Sequence, residues 1–153
     1  MLEETYSFLV SALGGGALLA ALTTATFGHA TRRVKFLVLG ATITTIGIGG
    51  LAAVTALPVV LVCSASVGYG LILFLSTGQS TLQLVVPDEK RGRVMALWAM
   101  TLSASAPLGH LLAGQAADAF GIEPVLIAMA VGTGCVALGM VGRSRFTSSI
   151  RTP

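Results

Sequence analysis

Between Lys35 and Asp88 the chain carries no charged residue at all. A water-soluble fold cannot absorb an uncharged stretch running from 36 to 87, because its elements need a polar outer face. A bilayer can: a helix crosses its roughly 30 Å of hydrocarbon with about 20 apolar residues, so this stretch amounts to two crossings. Composition extends the argument to the whole chain. Of 153 residues 54% are hydrophobic and only 10% are charged, with a mean hydropathy of +0.90; ordinary soluble domains hold about a quarter charged residues. The chain reads as an integral membrane protein.

Five apolar runs are long enough to cross, at about 6–27, 36–53, 58–86, 94–117 and 124–141. Continuous rather than alternating apolar character selects helices over a barrel, so the expected fold class is all-α, a polytopic bundle of five transmembrane helices. Only the turn at Leu57-Pro58 divides the second run from the third, and Pro58 suits a first helical position. The third run is long, and tilt or an extension beyond the membrane absorbs the excess. Gly14, Gly15, Gly16, Gly47, Gly49, Gly50, Gly132, Gly134 and Gly139 let neighbouring backbones approach. The bundle is expected over 1–144, followed by a short, polar, Ser/Thr-rich and disordered cytoplasmic tail over 145–153.

All nine basic residues fall in three clusters, Arg32-Arg33-Lys35, Lys90-Arg91-Arg93 and Arg143-Arg145-Arg151. About two spans separate each cluster from the next, so all three can share one membrane face, and basic residues mark the cytoplasmic side. The expected topology puts the N-terminus outside and the C-terminus in the cytoplasm of a multi-pass plasma-membrane protein. The start, Met1-Leu2-Glu3-Glu4, is acidic where a secretory leader needs basic residues, so the first run is expected to be a retained span. The same clusters lack the basic stripe of a nucleic-acid binder. They suit anionic lipid headgroups, so the partner expected first is the bilayer itself. Cys63 and Cys135 sit inside apolar runs without metal-ligand spacing and read as small hydrophobes. No metal or cofactor is expected.

Polar residues inside the runs are the candidate functional positions. Ser66, Tyr69, Ser76, Gln79, Ser80 and Gln83 project within roughly 140° of one another at 100° per residue. Polar groups in hydrocarbon need a partner or water, so this stripe lines a cavity or hydrogen-bonds a neighbouring helix. On the fourth run Ser103, Pro107, His110 and Gly114 share a face. Pro107 removes the donor for the Ser103 carbonyl and predicts a kink. His110 is the only ionisable side chain deep in any run. It serves either as a neutral residue bonded to another helix or as a proton or substrate contact. An intramembrane enzyme would need converging catalytic groups; with one deep His and no acid in the same run, no enzymatic activity is expected.

The loop 86–94 is a sharp hairpin. Asp88 and Glu89 suit the start of the next helix, and Arg91 and Arg93 can pair with acids or with helix-end carbonyls. Here the chain resembles a known family. Leu84-Val85-Val86-Pro87-Asp88-Glu89-Lys90-Arg91-Gly92-Arg93-Val94-Met95, followed by Ala106-Pro107-Leu108-Gly109-His110-Leu111-Leu112-Ala113-Gly114, resembles the C-terminal half of major facilitator superfamily transporters. The bacterial branch that includes siderophore and macrolide exporters looks most similar. The resemblance implies a partial major-facilitator fold, helices eight to twelve of twelve, in a bacterial inner membrane. It implies a third span bordering the central cavity, in agreement with the polar stripe, so Tyr69, Ser76, Gln79 and Gln83 are candidate lining residues. His110 is a candidate on its own position in the fourth run, not through the resemblance. The resemblance further implies a cytoplasmic gate containing Arg32, Arg33, Asp88, Arg91 and Arg93, and an inherited function of small-molecule export driven by proton exchange. The chain departs from the pattern in three ways. No acid precedes Arg32-Arg33, His110 stands where the family more often has a small residue, and helices one to seven are missing. The expected chain is therefore a fragment that does not transport alone. The alternatives are one part of a split transporter or a non-transporting membrane interaction protein, acting with a missing N-terminal half or as a homo-oligomer.

Overall fold

A computed structural model describes the backbone of residues 2–27 and 33–149, and the side chains of 5–26 and 33–142. The described residues form five helices, α1 (Leu2–Phe27), α2 (Arg33–Ala53), α3 (Leu57–Val85), α4 (Asp88–Phe120) and α5 (Ile122–Ser149). All five contain a segment long and apolar enough to cross a bilayer. The expected all-α bundle of five spans is what the chain forms. Its helices overrun the apolar runs at their polar ends. The fourth starts at Asp88 rather than near 94 because two acids, Asp88 and Glu89, occupy its first turn, where the helix dipole favours negative charge. The fifth continues to Ser149, so much of the expected disordered tail is helical. Residues 143–149 hold no Gly or Pro to stop a helix.

The connections follow from local chemistry. Val86 precedes a proline, which disfavours the helical region; it sits extended at φ −83°, ψ 128° and its N–H bonds the Leu82 carbonyl at 3.1 Å. Pro87 then leads directly into α4. After α4, Gly121 adopts φ 88°, a conformation open to glycine, and its N–H closes on the Ala117 carbonyl at 2.9 Å.

The helices pack as a row, α1 on α3, α3 on α2, α2 on α5, and α5 on α4, with only a sparse contact between α3 and α4. Apart from Leu73 on α3, the buried positions are small: Gly16 and Ala20 on α1, Gly40, Ala41, Thr44 and Gly47 on α2, Ser64, Gly68, Gly70 and Thr77 on α3, and Ala137 on α5. Large apolar residues point outward, Leu138 at 73% and Ile46 at 67% exposure among them. This inversion of a soluble core suits hydrocarbon, where bulky side chains gain nothing by leaving lipid and close backbone approach supplies the packing. Hydroxyls are met locally. Thr44 donates to the Gly40 carbonyl and Thr24 to that of Ala20, both at 2.9 Å, so neither needs water.

Register fixes the two ends of the bundle. Gly40 lies against Gly70 and Phe74, and Gly47 against Cys63 and Val67, so α2 and α3 are antiparallel. Thr45 meets Thr133 at 3.2 Å, while Ala53 and Glu123 line one groove and Ala41 and Val136 another; α2 and α5 are antiparallel too. The starts of α2 and α4 therefore share an end with the finishes of α3 and α5. That end carries Arg33, Lys35, Lys90, Arg91 and Arg93; the other carries Asp118 and Glu123.

A β-carbon on Gly16 would collide with the Ala65 backbone and one on Gly68 with that of Leu13, whereas Gly49 faces open space. Gly16→Ala and Gly68→Ala are expected to destabilise the chain by about 1–3 kcal/mol and Gly49→Ala to have little effect, as read by unfolding of the purified chain in detergent.

Candidate functional site

The α3 stripe divides according to what each side chain can reach. Tyr69 extends to α1, and its hydroxyl donates to Thr23 Oγ1 at 3.3 Å in a part-buried contact. Ser66 donates to the Val62 carbonyl at 2.8 Å and Ser80 to that of Ser76 at 2.8 Å. A serine that returns its proton to its own helix places no demand on a neighbour. Ser76 makes a longer contact of this kind, 3.4 Å to Leu73. Gln79 and Gln83 are exposed, and neither side-chain amide has a hydrogen-bond partner among the described residues. Ser66 and Tyr69, with Val62 and Ala65, also join Gly16 and Leu19 of α1 and Ile43 and Ile46 of α2 around an open, largely apolar groove of about 510 Å³.

At the basic end, the α3–α4 hairpin is tied by one side chain. Arg91 Nε donates to the Gln83 carbonyl at 3.0 Å, and Nη2 pairs with Asp88 Oδ1 at 2.5 Å. The guanidinium thus meets a carbonyl in the last turn of α3 and a carboxylate in the first turn of α4, joining two helix ends of opposite dipole. Among the described residues this is the ion pair of the hairpin. Arg93 and Lys90 are exposed, and Arg33 is half-buried at the start of α2. Arg32 lies outside the described residues.

α4 is held at its two ends and uncovered between them. Every residue from Ser103 to Leu112 is exposed, Pro107 and His110 included, and the helix runs unbroken through Pro107. Toward its end α4 borders α5: Gly109, Leu112, Ala113, Ala116 and Phe120 line one open groove with Pro124, Val125 and Ala128. No described residue bonds the His110 imidazole. His110 and the α3 glutamines are thus not drawn together among the described residues, since α4 leaves α3 soon after the hairpin.

Sequence reasoning passed over Trp98. Its ring lies beside Gly78, where an added β-carbon would stand 3.6 Å from the ring and 3.9 Å from Leu37. Trp98 thereby joins α2, α3 and α4 at the basic end. Its Nε1 is buried without a hydrogen-bond partner, a state that costs about 1–3 kcal/mol. The signal available was a single Trp near a span end, as in an interfacial aromatic belt. Thr23, the partner of Tyr69, and the Thr45–Thr133 bond between α2 and α5 carried no signal beyond residue type.

Comparison with known proteins places this geometry. Residues 3–152 match the model of the Major Facilitator Superfamily. The chain is 31% identical over 129 residues to the multidrug efflux pump Tap of Mycolicibacterium fortuitum, an alignment covering 81% of this chain and 30% of that protein. The chain thus spans about a third of the length of that relative. No solved structure matches it.

The Arg91 tie is exposed, and such pairs contribute little to global stability, about 0–1 kcal/mol. Arg91→Gln is expected to leave the melting temperature nearly unchanged while speeding amide exchange over 84–92 about threefold, as measured by hydrogen-exchange mass spectrometry.

Proposed function

The chain belongs to the major facilitator superfamily, a family of membrane transporters rather than enzymes, and on that footing we propose that it is the C-terminal portion of a small-molecule exporter. Its five spans correspond in this reading to helices eight to twelve. Transport requires the complementary N-terminal portion, because such carriers rock two halves about a site between them. The observation that carries the reading is the uncovered stretch of α4 from Ser103 to Leu112, which holds a proline and an ionisable imidazole in the middle of a span. Groups of that kind at membrane depth stand against protein or water when a carrier is assembled. The likeness to a multidrug efflux pump supports export as the direction and a drug-like organic molecule as the cargo.

In this reading Ser76, Gln79 and Gln83 face the cargo pathway, and Tyr69 supports it by fastening α3 to α1. His110 exchanges a proton or contacts cargo in this reading. Asp88 and Arg91 hold the α3–α4 hairpin as one unit of the cytoplasmic gate, together with Arg32, Arg33 and Arg93. The segregation of basic positions to one end of the bundle supports a cytoplasmic C-terminus in a bacterial inner membrane.

Co-expression with the first seven helices of a related efflux pump is expected to restore efflux of a fluorescent drug-like dye, where either part alone moves none. His110→Ala in the pair should lower that efflux by about tenfold, the scale of one hydrogen bond to a charged group. A stable homo-oligomer that ignores the added helices and moves nothing would instead support an interaction protein.

Orientation has a separate check. In a chain with Cys63 and Cys135 replaced by Ala, a cysteine introduced by Lys90→Cys should resist an impermeant maleimide in intact cells and react once the membrane is opened. Labelling from outside would invert the topology.

A further inference from the structure

Glu123 stands in the first turn of α5 at the end of the bundle opposite the described basic residues. Every Lys and Arg of the sequence belongs to the clusters at 32–35, 90–93 and 143–151. Among the described residues no cation pairs with Glu123. Glu123 is exposed and lines one end of a groove of about 450 Å³ between α2 and α5, together with Thr45, Gly49, Ala53, Ile127 and Val131. From Glu123 to Val131 the groove follows α5 for about 12 Å toward the membrane centre, at 1.5 Å per residue. A hydrogen on Gly49 in place of a side chain keeps its floor open. The site is therefore apolar along its depth and anionic at its mouth.

We propose that this groove binds a phospholipid whose headgroup carries a primary ammonium, with an acyl chain along α2 and α5 and the ammonium on Glu123. A groove at membrane depth fills with acyl chain, as hydrocarbon is the surrounding solvent. The headgroup is selected by charge and hydrogen bonding at the mouth. An ammonium donates N–H bonds to a carboxylate and supplies the cation that Glu123 lacks among the described residues. A choline headgroup has the charge without the donors. A glycerol headgroup leaves the lipid net negative and is repelled.

The purified 153-residue chain is placed in nanodiscs of equal phosphatidylethanolamine, phosphatidylcholine and phosphatidylglycerol, and the lipids it retains on release are counted by native mass spectrometry. The expected result is enrichment of phosphatidylethanolamine by about threefold over either other lipid, the scale of one exposed ion pair. Glu123→Gln should return retention to the bulk ratio and Glu123→Asp should keep it, with helical circular dichroism unchanged in both. Asp118→Asn, at the same end but outside the groove lining, should keep the enrichment. Gly49→Leu, which fills the groove, should lower retention of all three lipids. Bulk-ratio retention by the unaltered chain, or enrichment that survives Glu123→Gln, overturns the proposal.

Discussion

Close approach of backbones around α3 is the interaction on which the rest of the structure depends. In hydrocarbon no net driving force pushes large apolar side chains inward, so helices associate only where their surfaces fit. α3 supplies that fit on two sides. Gly68 meets the Leu13 backbone of α1, and Gly70 meets Gly40 of α2 so tightly that a β-carbon there would lie 2.6 Å from the Gly40 carbonyl. Once α2 is seated, its opposite side takes α5 through Thr45 and Thr133. α4 then hangs from its two connections, one tied by Arg91 and one turned by Gly121.

This order of attachment explains why the candidate residues differ so much in their surroundings. Residues on α3 that face a seated helix become part of the packing, as Tyr69 does with Thr23. Small hydroxylated residues satisfy themselves on their own helix. Gln79 and Gln83 are too long for that and lie where no helix is seated, so they stay exposed. On α4 nothing covers Ser103 to Leu112 among the described residues. That is the region where a carrier of this family places its second half in the reading proposed above.

Charge divides the molecule along the other axis. Antiparallel register of α2 with α3 and α5 gathers the described basic residues at one end and leaves Asp118 and Glu123 at the other. Three clusters spaced by pairs of spans can only do this if every run crosses. The gathered charge and the five helices are thus two views of one constraint, the cost of a charge in hydrocarbon.

Much of this was legible from residue order. Apolar length set the number of helices, Pro87 and Leu57-Pro58 their breaks, and the acids after Pro87 the start of α4, because these are local effects of backbone geometry and solvent. Which polar residue bonds which was not, since Tyr69–Thr23 spans 46 residues and Thr45–Thr133 spans 88. Nor did the hairpin motif alone choose between Asp88 and Glu89 as the partner of Arg91, or reveal Trp98 beside Gly78 and Leu37. The helical extension to Ser149 also ran against composition, which reads polarity as disorder although Ser, Thr and Arg tolerate a helix. By itself, then, the sequence determined that this chain crosses a membrane five times, because transfer of each residue between water and lipid is a local quantity. The tertiary structure alone decided the row of helices and the uncovered face of α4, because these depend on which small residues meet across distant turns.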